Sequence, residues 1–368
     1  MKILMTNYTE VTSPGGVHKT IVELAGNLVK RGHEVTVLQG NPMSLPEREI
    51  CNGFEIIRIK SNFSDHFYGF SPEIYFFLKK NFQDLNPDIV HVHGYHTLLS
   101  PLILYSIKKM NSEVPIFFTP HYDPLNRSNL AGKLFGGIYN FLFGEKFFKM
   151  TDYVISISNF EANNIKKIYD AKITVIPNGI DFINIKKKCK DDTIKLLYAG
   201  YLLDYKGVQH IIKTVHQLVK IEKVNNVNLT IVGEGDYKNS LLKLTIRLGV
   251  ENFIVWKPFL SHDKILEEMK KSDIFLLLSK SEGYGIVVAE ALSMGTPVII
   301  TKRTALEEFL TEPGCFGVDC PPDPTEVADS IKNIYDCDLK VGPFTNKIKT
   351  WDKVAEAYEN VYLNYLNL

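Results

Sequence analysis

Short apolar runs recur along the chain, each followed by a polar or glycine-rich loop and then by residues at helical spacing. Lys2 to Thr6 reads as a first strand, and Ile21, Leu24, Ala25 and Leu28 mark one face of the helix that follows. Gly32 stops that helix, and Glu34 to Leu38 is the next strand. Further strands are predicted over Phe54 to Ile59, Asp88 to His93, Ile116 to Thr119, Tyr153 to Ser158 and Ile173 to Ile176, with an aromatic-rich helix over Pro72 to Phe82. The scheme restarts at Ile194 to Ala199. It continues through Asn228 to Val232, a strand and loop over Phe253 to Leu260, Asp273 to Ser279, and a strand from Val298. Asp273 to Ser279 is almost wholly apolar, as a parallel strand covered on both faces requires. Strands alternating with helices in this way predict an α/β protein built on doubly wound parallel sheets.

Ile185 to Asp192 carries a lysine run and two acids, the composition of a solvated linker. The boundary is placed just before it, giving domains over 1–183 and 184–349. The last helix, Thr350 to Tyr365, carries Trp351, Val354, Tyr358 and Val361, and 350–368 is expected to pack back on the first domain. At 368 residues, 45% hydrophobic and 23% charged, the chain suits two ordinary globular domains. Its net charge of zero argues against a general nucleic-acid binder. Five scattered cysteines without a C-x-x-C pair fit a reducing cytoplasm. The start does not read as a signal peptide, and no run approaches the ~18 apolar residues of a spanning helix. Lys133 to Met150 stands apart, with aromatics flanked by lysines. It reads first as an amphipathic core helix, and second as a patch for an anionic membrane or an acceptor.

The candidate chemistry centres on Ser281 to Val298. Gly283 and Gly285 flank Tyr284, and a helix starts near Ile286, so unpaired N–H groups point back into a glycine loop suited to phosphate. Glu282 and Glu290 would stand about 12 Å apart if every intervening step were helical. That spacing suits two ends of one long polar ligand, with plain surface charges as the other reading. Gly200 to Gly207 is a second glycine loop before a helix and carries Lys206. The first loop, Ser13-Pro14-Gly15-Gly16, is not G-x-G-x-x-G. Nor is Gly16-Val17-His18-Lys19-Thr20 a P-loop, since His18 stands where that motif needs glycine. A dinucleotide dehydrogenase and a P-loop kinase both lose their main support. His91 and His93 share one strand face, and with His96 they suggest a hydrolase-type metal cluster. No nearby carboxylate completes it, so satisfied core or cleft histidines are the better reading. Asp336-Cys337-Asp338 follows a helix-like segment and reads as a chance Asp-x-Asp. No metal is expected.

Glu282, seven residues, then Glu290, with Gly-Tyr-Gly after the first and Ala-x-x-x-Gly-x-Pro-Val after the second, resembles the signature of glycosyltransferase family 4. Pro177-Asn178-Gly179-Ile180-Asp181 and Gly233-Glu234-Gly235 resemble two further motifs of that family, whose Asp-x-x-His-x-His strand carries no metal. The resemblance implies a GT-B fold, two Rossmann-like domains facing across a cleft. It also implies metal-independent, retaining transfer from a nucleotide-diphosphate sugar. Glu282 would touch hydroxyls of the donor sugar, Glu290 the ribose, and the backbone of Tyr284, Gly285 and Ile286 the distal phosphate. Backbone near Phe259 and Leu260 would read the base. His121 would lie beside the sugar, and the Gly16 N–H would meet a phosphate or the acceptor. Plain structural readings stand beside these: a tight turn at Gly16, a strand-capping histidine at His121, an ordinary strand and turn at Phe259 and Leu260. Lys206 matches a diphosphate-gripping lysine, but Tyr201 occupies the place of the family's arginine, and Lys257 or Lys302 are candidate substitutes. The acceptor is open: lipid-linked at a membrane surface, a glycan or a small molecule. The rivals are a two-carboxylate glycosidase, which needs carboxyls about 5 Å apart, and a nucleotide-sugar-binding protein that no longer transfers, motivated by Tyr201.

Overall fold

The computed structural model describes every residue except 9, 12–14, 42–43, 61–70, 111–112, 124–129, 182–191, 338, 340, 343–346 and 368, and leaves out the side chains of 130–133 and 135. The chain forms two compact units, Met1–Gly179 with Lys349–Leu368, and Ile180–Ile348. The boundary predicted after residue 183, most of the lysine-rich linker, and Asp338 of the Asp-x-Asp triplet lie outside the described residues.

The first unit holds β1 (Lys2–Asn7), β2 (Glu34–Asn41), β3 (Arg48–Cys51), β4 (Phe54–Lys60), β5 (Ile89–His93), β6 (Ile116–Thr119), β7 (Tyr153–Ser156) and β8 (Ile173–Val175). They form one sheet in the order β3-β4-β2-β1-β5-β6-β7-β8. Every pairing is parallel except β3 with β4. All of β5 is buried, as a strand covered on both faces must be. One face is covered by α1 (Gly16–Lys30). The other is covered by α2 (Pro72–Leu85), α3 (Leu99–Lys109), α4 (Leu130–Tyr139), a π-helical turn (Asn140–Gly144), α5 (Glu145–Lys149) and α6 (Asn159–Lys166). Leu4, Val90, Val92, Phe118 and Val154 alternate along their strands and meet Ile74, Ile103, Phe147 and Ile165 in one core. The aromatic segment at 133–150 therefore does bury an apolar face through Tyr139, Phe147 and Phe148, but its outer face is also apolar: Leu134, Ile138, Phe141 and Leu142 are exposed.

The loop after β1 is anchored by charge. Glu10 accepts from Arg58 at 2.8 and 3.0 Å and from Gln39 at 2.6 Å, all buried. Fork-to-fork geometry and a third donor supply what a buried ion pair needs to offset desolvation.

The chain passes through β9 (Gly179–Ile180) into the second unit. There β10 (Ile194–Ala199), β11 (Val227–Val232), β12 (Ile254–Lys257), β13 (Ile274–Leu277), β14 (Val298–Thr301) and β15 (Cys315–Val318) form a wholly parallel sheet in the order β12-β11-β10-β13-β14-β15. The helices are α7 (Val208–His216), α8 (Lys238–Leu248), α9 (His262–Lys271), α10 (Ile286–Ser293) and α11 (Pro324–Asp336). The chain returns through β16 (Lys349–Thr350) to α12 (Trp351–Leu366), which packs beside α1. Arg31, just past α1, reaches Glu359 of α12 at 2.6 Å, and His33 reaches the same carboxylate at 2.8 Å. Each large sheet reverses strand order once, at β2-β1-β5 and at β11-β10-β13. In open α/β sheets ligands gather at the carboxyl ends of the strands flanking such a reversal.

Candidate functional site

In the second unit the reversal brings two loops together. One follows β10 and runs from Gly200 to Gly207; the other follows β13 and leads into α10. Because β10 and β13 are paired neighbours, both loops leave the same sheet edge. The Lys280 N–H donates to the Tyr205 carbonyl at 2.7 Å and ties them. The approach is so close that only glycine fits at 207: φ is +77°, and a Cβ there would lie 1.8 Å from the Leu278 carbonyl oxygen.

This contact delivers Lys206 to Glu282. The ammonium donates to Glu282 Oε1 at 2.8 Å, and the Ser279 hydroxyl donates to the same oxygen at 2.8 Å. Both charged side chains are mostly buried, at 19% and 12% exposure. Three residues on, Gly285 caps α10 with φ +94°; a Cβ there would meet Leu306 Cδ2 at 2.4 Å. The first turn of α10 thus opens its N–H groups and positive dipole end toward the loop that holds Glu282. The Tyr284 ring is buried against Phe309 at 5.2 Å, so only its backbone can face a ligand.

Glu290 is not a solvated helix charge: it is 3% exposed, and Oε1 lies 3.7 Å from His262 Nε2. That nitrogen is also 3.0 Å from Asp181 Oδ2. The two glutamates therefore have separate partners, Lys206 and Ser279 for Glu282 and His262 for Glu290. His262 opens α9 two residues after Leu260. Sequence reasoning passed over it, although it closes the same loop as Phe259. Tyr201 sets its ring edge-on to Phe259 at 5.0 Å, and both are partly exposed. Neither candidate substitute cation faces solvent alone. Lys257 donates to Glu268 at 2.6 Å, and Lys302 reaches Asp319 at 3.3 Å.

In the first unit the same edge carries Gly16, the first residue of α1, and His121, just past β6. Ser13 and Pro14 lie outside the described residues. His121 holds φ +50°, a left-handed conformation uncommon for a non-glycine residue. Its Nε2 lies 3.1 Å from His93 Nδ1. The other nitrogen of His93 is buried with no partner among the described residues. A bare ring nitrogen is less costly to bury than an orphan N–H. We therefore assign the His93 proton to Nδ1, donated to His121, so that His121 carries its own proton on Nδ1. His91 is committed elsewhere, to the Tyr362 hydroxyl at 2.7 Å and the Thr119 hydroxyl at 2.9 Å. His96 Nε2 lies 3.4 Å from Asn140. Burial pushes His91 and His121 down to about 3, and His93 well below its ordinary value. His121 is accordingly a neutral ring that can orient a hydroxyl, not a cation for phosphate.

Glu161 was not anticipated as part of this edge. It is fully buried on α6 and accepts from the Tyr122 N–H at 2.5 Å, next to His121, and from the Ile157 N–H at 2.7 Å. Burial raises its pKa to about 7, against the lowering effect of these donors. A protonated carboxyl also solves a local count: Ser156 has one hydrogen, and its Oγ lies 3.0 Å from the Ser158 carbonyl and 2.7 Å from Glu161 Oε2. With the acid protonated, Glu161 donates to Ser156 and Ser156 donates to Ser158. A carboxyl raised from 4.5 to about 7 stabilises the fold fully below 4.5, and that contribution falls as pH rises to about 7. Glu161→Gln removes this titration. Its melting temperature relative to the parent is expected to climb between pH 4.5 and pH 7 and then level off. Parallel melting curves across that window would show that Glu161 does not titrate there.

Residues 14–182 match the family model described as Glycosyltransferase Family 4, and residues 180–351 match Glycosyl transferases group 1. An uncharacterized glycosyltransferase of Methanocaldococcus jannaschii is 26% identical over 95% of this chain and 94% of its own length. A glycogen synthase of Mycobacterium tuberculosis is 25% identical over 99% and 94%. Among solved structures, sucrose-phosphate synthase of Thermosynechococcus elongatus superposes with a TM-score of 0.82 at 15% identity, covering 99% of each chain. Anabaena HepE in complex with UDP-glucose superposes at 0.69 with 17% identity, over 99% of this chain and 95% of that one. The two family matches run end to end across both Rossmann-like units, so the chain is a glycosyltransferase of family 4 with the GT-B fold.

Proposed function

We propose that this enzyme moves a sugar from a nucleotide-diphosphate donor to an acceptor, with retention at the anomeric carbon and without a metal. The observation that carries the proposal is the Lys206–Glu282 pair at the strand-order reversal, in the loop that leads into α10. A diphosphate needs positive potential held in place, and a mostly buried ammonium beside a helix start supplies it. Lys206 grips the diphosphate, and the N–H groups of Tyr284, Gly285 and Ile286 take the distal phosphate. Glu282 then turns to the sugar hydroxyls. Glu290, steadied by His262, holds the ribose, and the backbone at Phe259 and Leu260 faces the base. His121 orients the sugar, and the Gly16 N–H meets a phosphate or the acceptor. The departing diphosphate accepts the proton of the attacking hydroxyl. The HepE complex with UDP-glucose, on the same fold, supports the donor class. A cytoplasmic setting is supported by four free cysteines, Cys51, Cys315, Cys320 and Cys337, among the described residues. None of the described helices is long and apolar enough to cross a membrane. The acceptor stands as a lipid-linked glycan, a free glycan or a small molecule.

The test is a panel of radiolabelled nucleotide sugars offered with glycan and lipid-linked acceptors. At least one donor is expected to release free nucleotide and yield a product with the donor's anomeric configuration. Binding without turnover across the panel would overturn the proposal. Tyr201 brings no charge to its loop, so Tyr201→Arg is expected to lower the donor KM about tenfold, the worth of one charge-assisted bond to phosphate. An unchanged KM would mean that position 201 does not face the diphosphate.

A further inference from the structure

We propose that the outer face of the helical layer formed by α2, α3, the α4–α5 segment and α6 docks on an anionic lipid surface. These helices pack on one face of the first sheet and share one core, so their outer sides look the same way. That outer side is apolar to an unusual degree. Phe76 is 65% exposed, Tyr105 54%, Leu134 64%, Ile138 50%, Phe141 87% and Leu142 49%. Single exposed apolar residues are ordinary on any protein. Six on one layer, four of them within nine residues of one helical segment, are more than scattered single residues and call for an occupant.

The charge on the same layer says which occupant. Lys79 and Lys80 are exposed on α2, and Lys108 and Lys109 on α3. Lys146 and Lys149 are exposed on α5, and Lys166 and Lys167 at the end of α6. Against these eight lysines, seven inside the segments and Lys167 just past α6, the described residues of the four segments expose two acids, Asp84 and Glu145, the latter paired with Lys149, and half-expose Glu73. The whole chain balances 42 basic against 42 acidic residues, so this face holds an excess that the rest must offset. The opposite helices show the contrast: α1 and α12, counted to the residue just past α1, carry Lys19, Lys30, Arg31 and Lys353 against Glu23, Asp352, Glu356 and Glu359, an even balance. Lysines around protruding Phe, Leu and Ile match a bilayer with anionic headgroups, where charge attracts and apolar side chains enter the acyl boundary. A second copy of this chain fits poorly, because the same face on both partners would set lysines against lysines. A nucleic acid would leave the aliphatic side chains uncovered.

The experiment is co-sedimentation of the full chain with vesicles of phosphatidylcholine, alone or with one-third phosphatidylglycerol, at low and high salt. Neither vesicle contains a sugar acceptor and no donor is added, so failure here leaves the transferase proposal intact. Binding is expected on the anionic vesicles only, weakening with salt. Each lysine near such a surface is worth about fivefold in partitioning. The combined change of Lys79, Lys80, Lys108 and Lys109 to Gln is therefore expected to weaken binding about a hundredfold or more. Phe141→Ser with Leu142→Ser is expected to weaken it severalfold. Circular dichroism melts of both variants should match the parent and report an intact fold. Absence of binding to anionic vesicles, equal binding to neutral ones, or indifference to both sets of changes would overturn the proposal. So would a concentration-dependent dimer that Phe141→Ser disperses, which would assign the face to a second copy.

Discussion

Lys206→Ala is expected to lower kcat/KM for the nucleotide-sugar donor by about 10²- to 10³-fold, the usual effect of deleting one preorganised group that meets developing charge. The loss should fall on kcat as much as on KM, since the charge on the diphosphate grows as the glycosidic bond breaks. Structure makes the expectation specific. Lys206 is held by a 3₁₀ turn (Asp204–Lys206), aimed by Gly207 and partnered by Glu282 at 2.8 Å. Its removal leaves Glu282 mostly buried with the Ser279 hydroxyl still in place, so the fold should survive. Steady-state release of nucleotide, with the melting temperature as control, checks both halves. A kcat within threefold of the parent would remove Lys206 from the chemistry.

Gly207→Ala is expected to destabilise the second unit by at least about 3 kcal/mol and to carry turnover down with it. A non-glycine residue at φ +77° costs about 1–3 kcal/mol on its own. To this is added a Cβ placed 1.8 Å from the Leu278 carbonyl oxygen, which cannot be relieved by rotating a side chain. The two loops must part, and that separates Lys206 from Glu282. Gly249→Ala is the matched control. It also has positive φ, at +62°, but its nearest neighbour is the flexible end of Lys220 at 3.7 Å. A melting-temperature loss at 207 no larger than that at 249 would show that the close approach carries no weight.

Much of the architecture was legible because parallel strands covered on both faces are written as apolar runs. Ile116–Thr119 and Ile194–Ala199 appear in the structure with the predicted bounds. The antiparallel edge strand Arg48–Cys51 was not legible, because it is four residues long, largely exposed, and paired only with Phe54–Lys60. Cys315–Val318 escaped for a related reason: it is four residues long with its middle two half-buried. Glycine loops and their charged residues could be picked out in sequence. The bond between Lys206 and Glu282 could not, since the two lie 76 positions apart and only strand order brings them together. Glu161 had a signal: Ser158-Asn159-Phe160-Glu161 has the spacing of a capping box, and Ser158 does cap α6. Nothing in that spacing says that the carboxyl turns instead to the residue after His121.

Lys206 already has a tenant in Glu282, and this decides which anions can dislodge it. A small ion such as sulfate would have to evict a carboxylate that loses nothing by staying, and would bring no sugar to reward the evicted side chain. A sugar diphosphate offers both sides a new partner at once: oxygens for the ammonium and hydroxyls for the carboxylate. On the proposed donor-binding role, the pair would act as a filter, favouring a molecule that satisfies both of its halves together over the simple anions that crowd any solution.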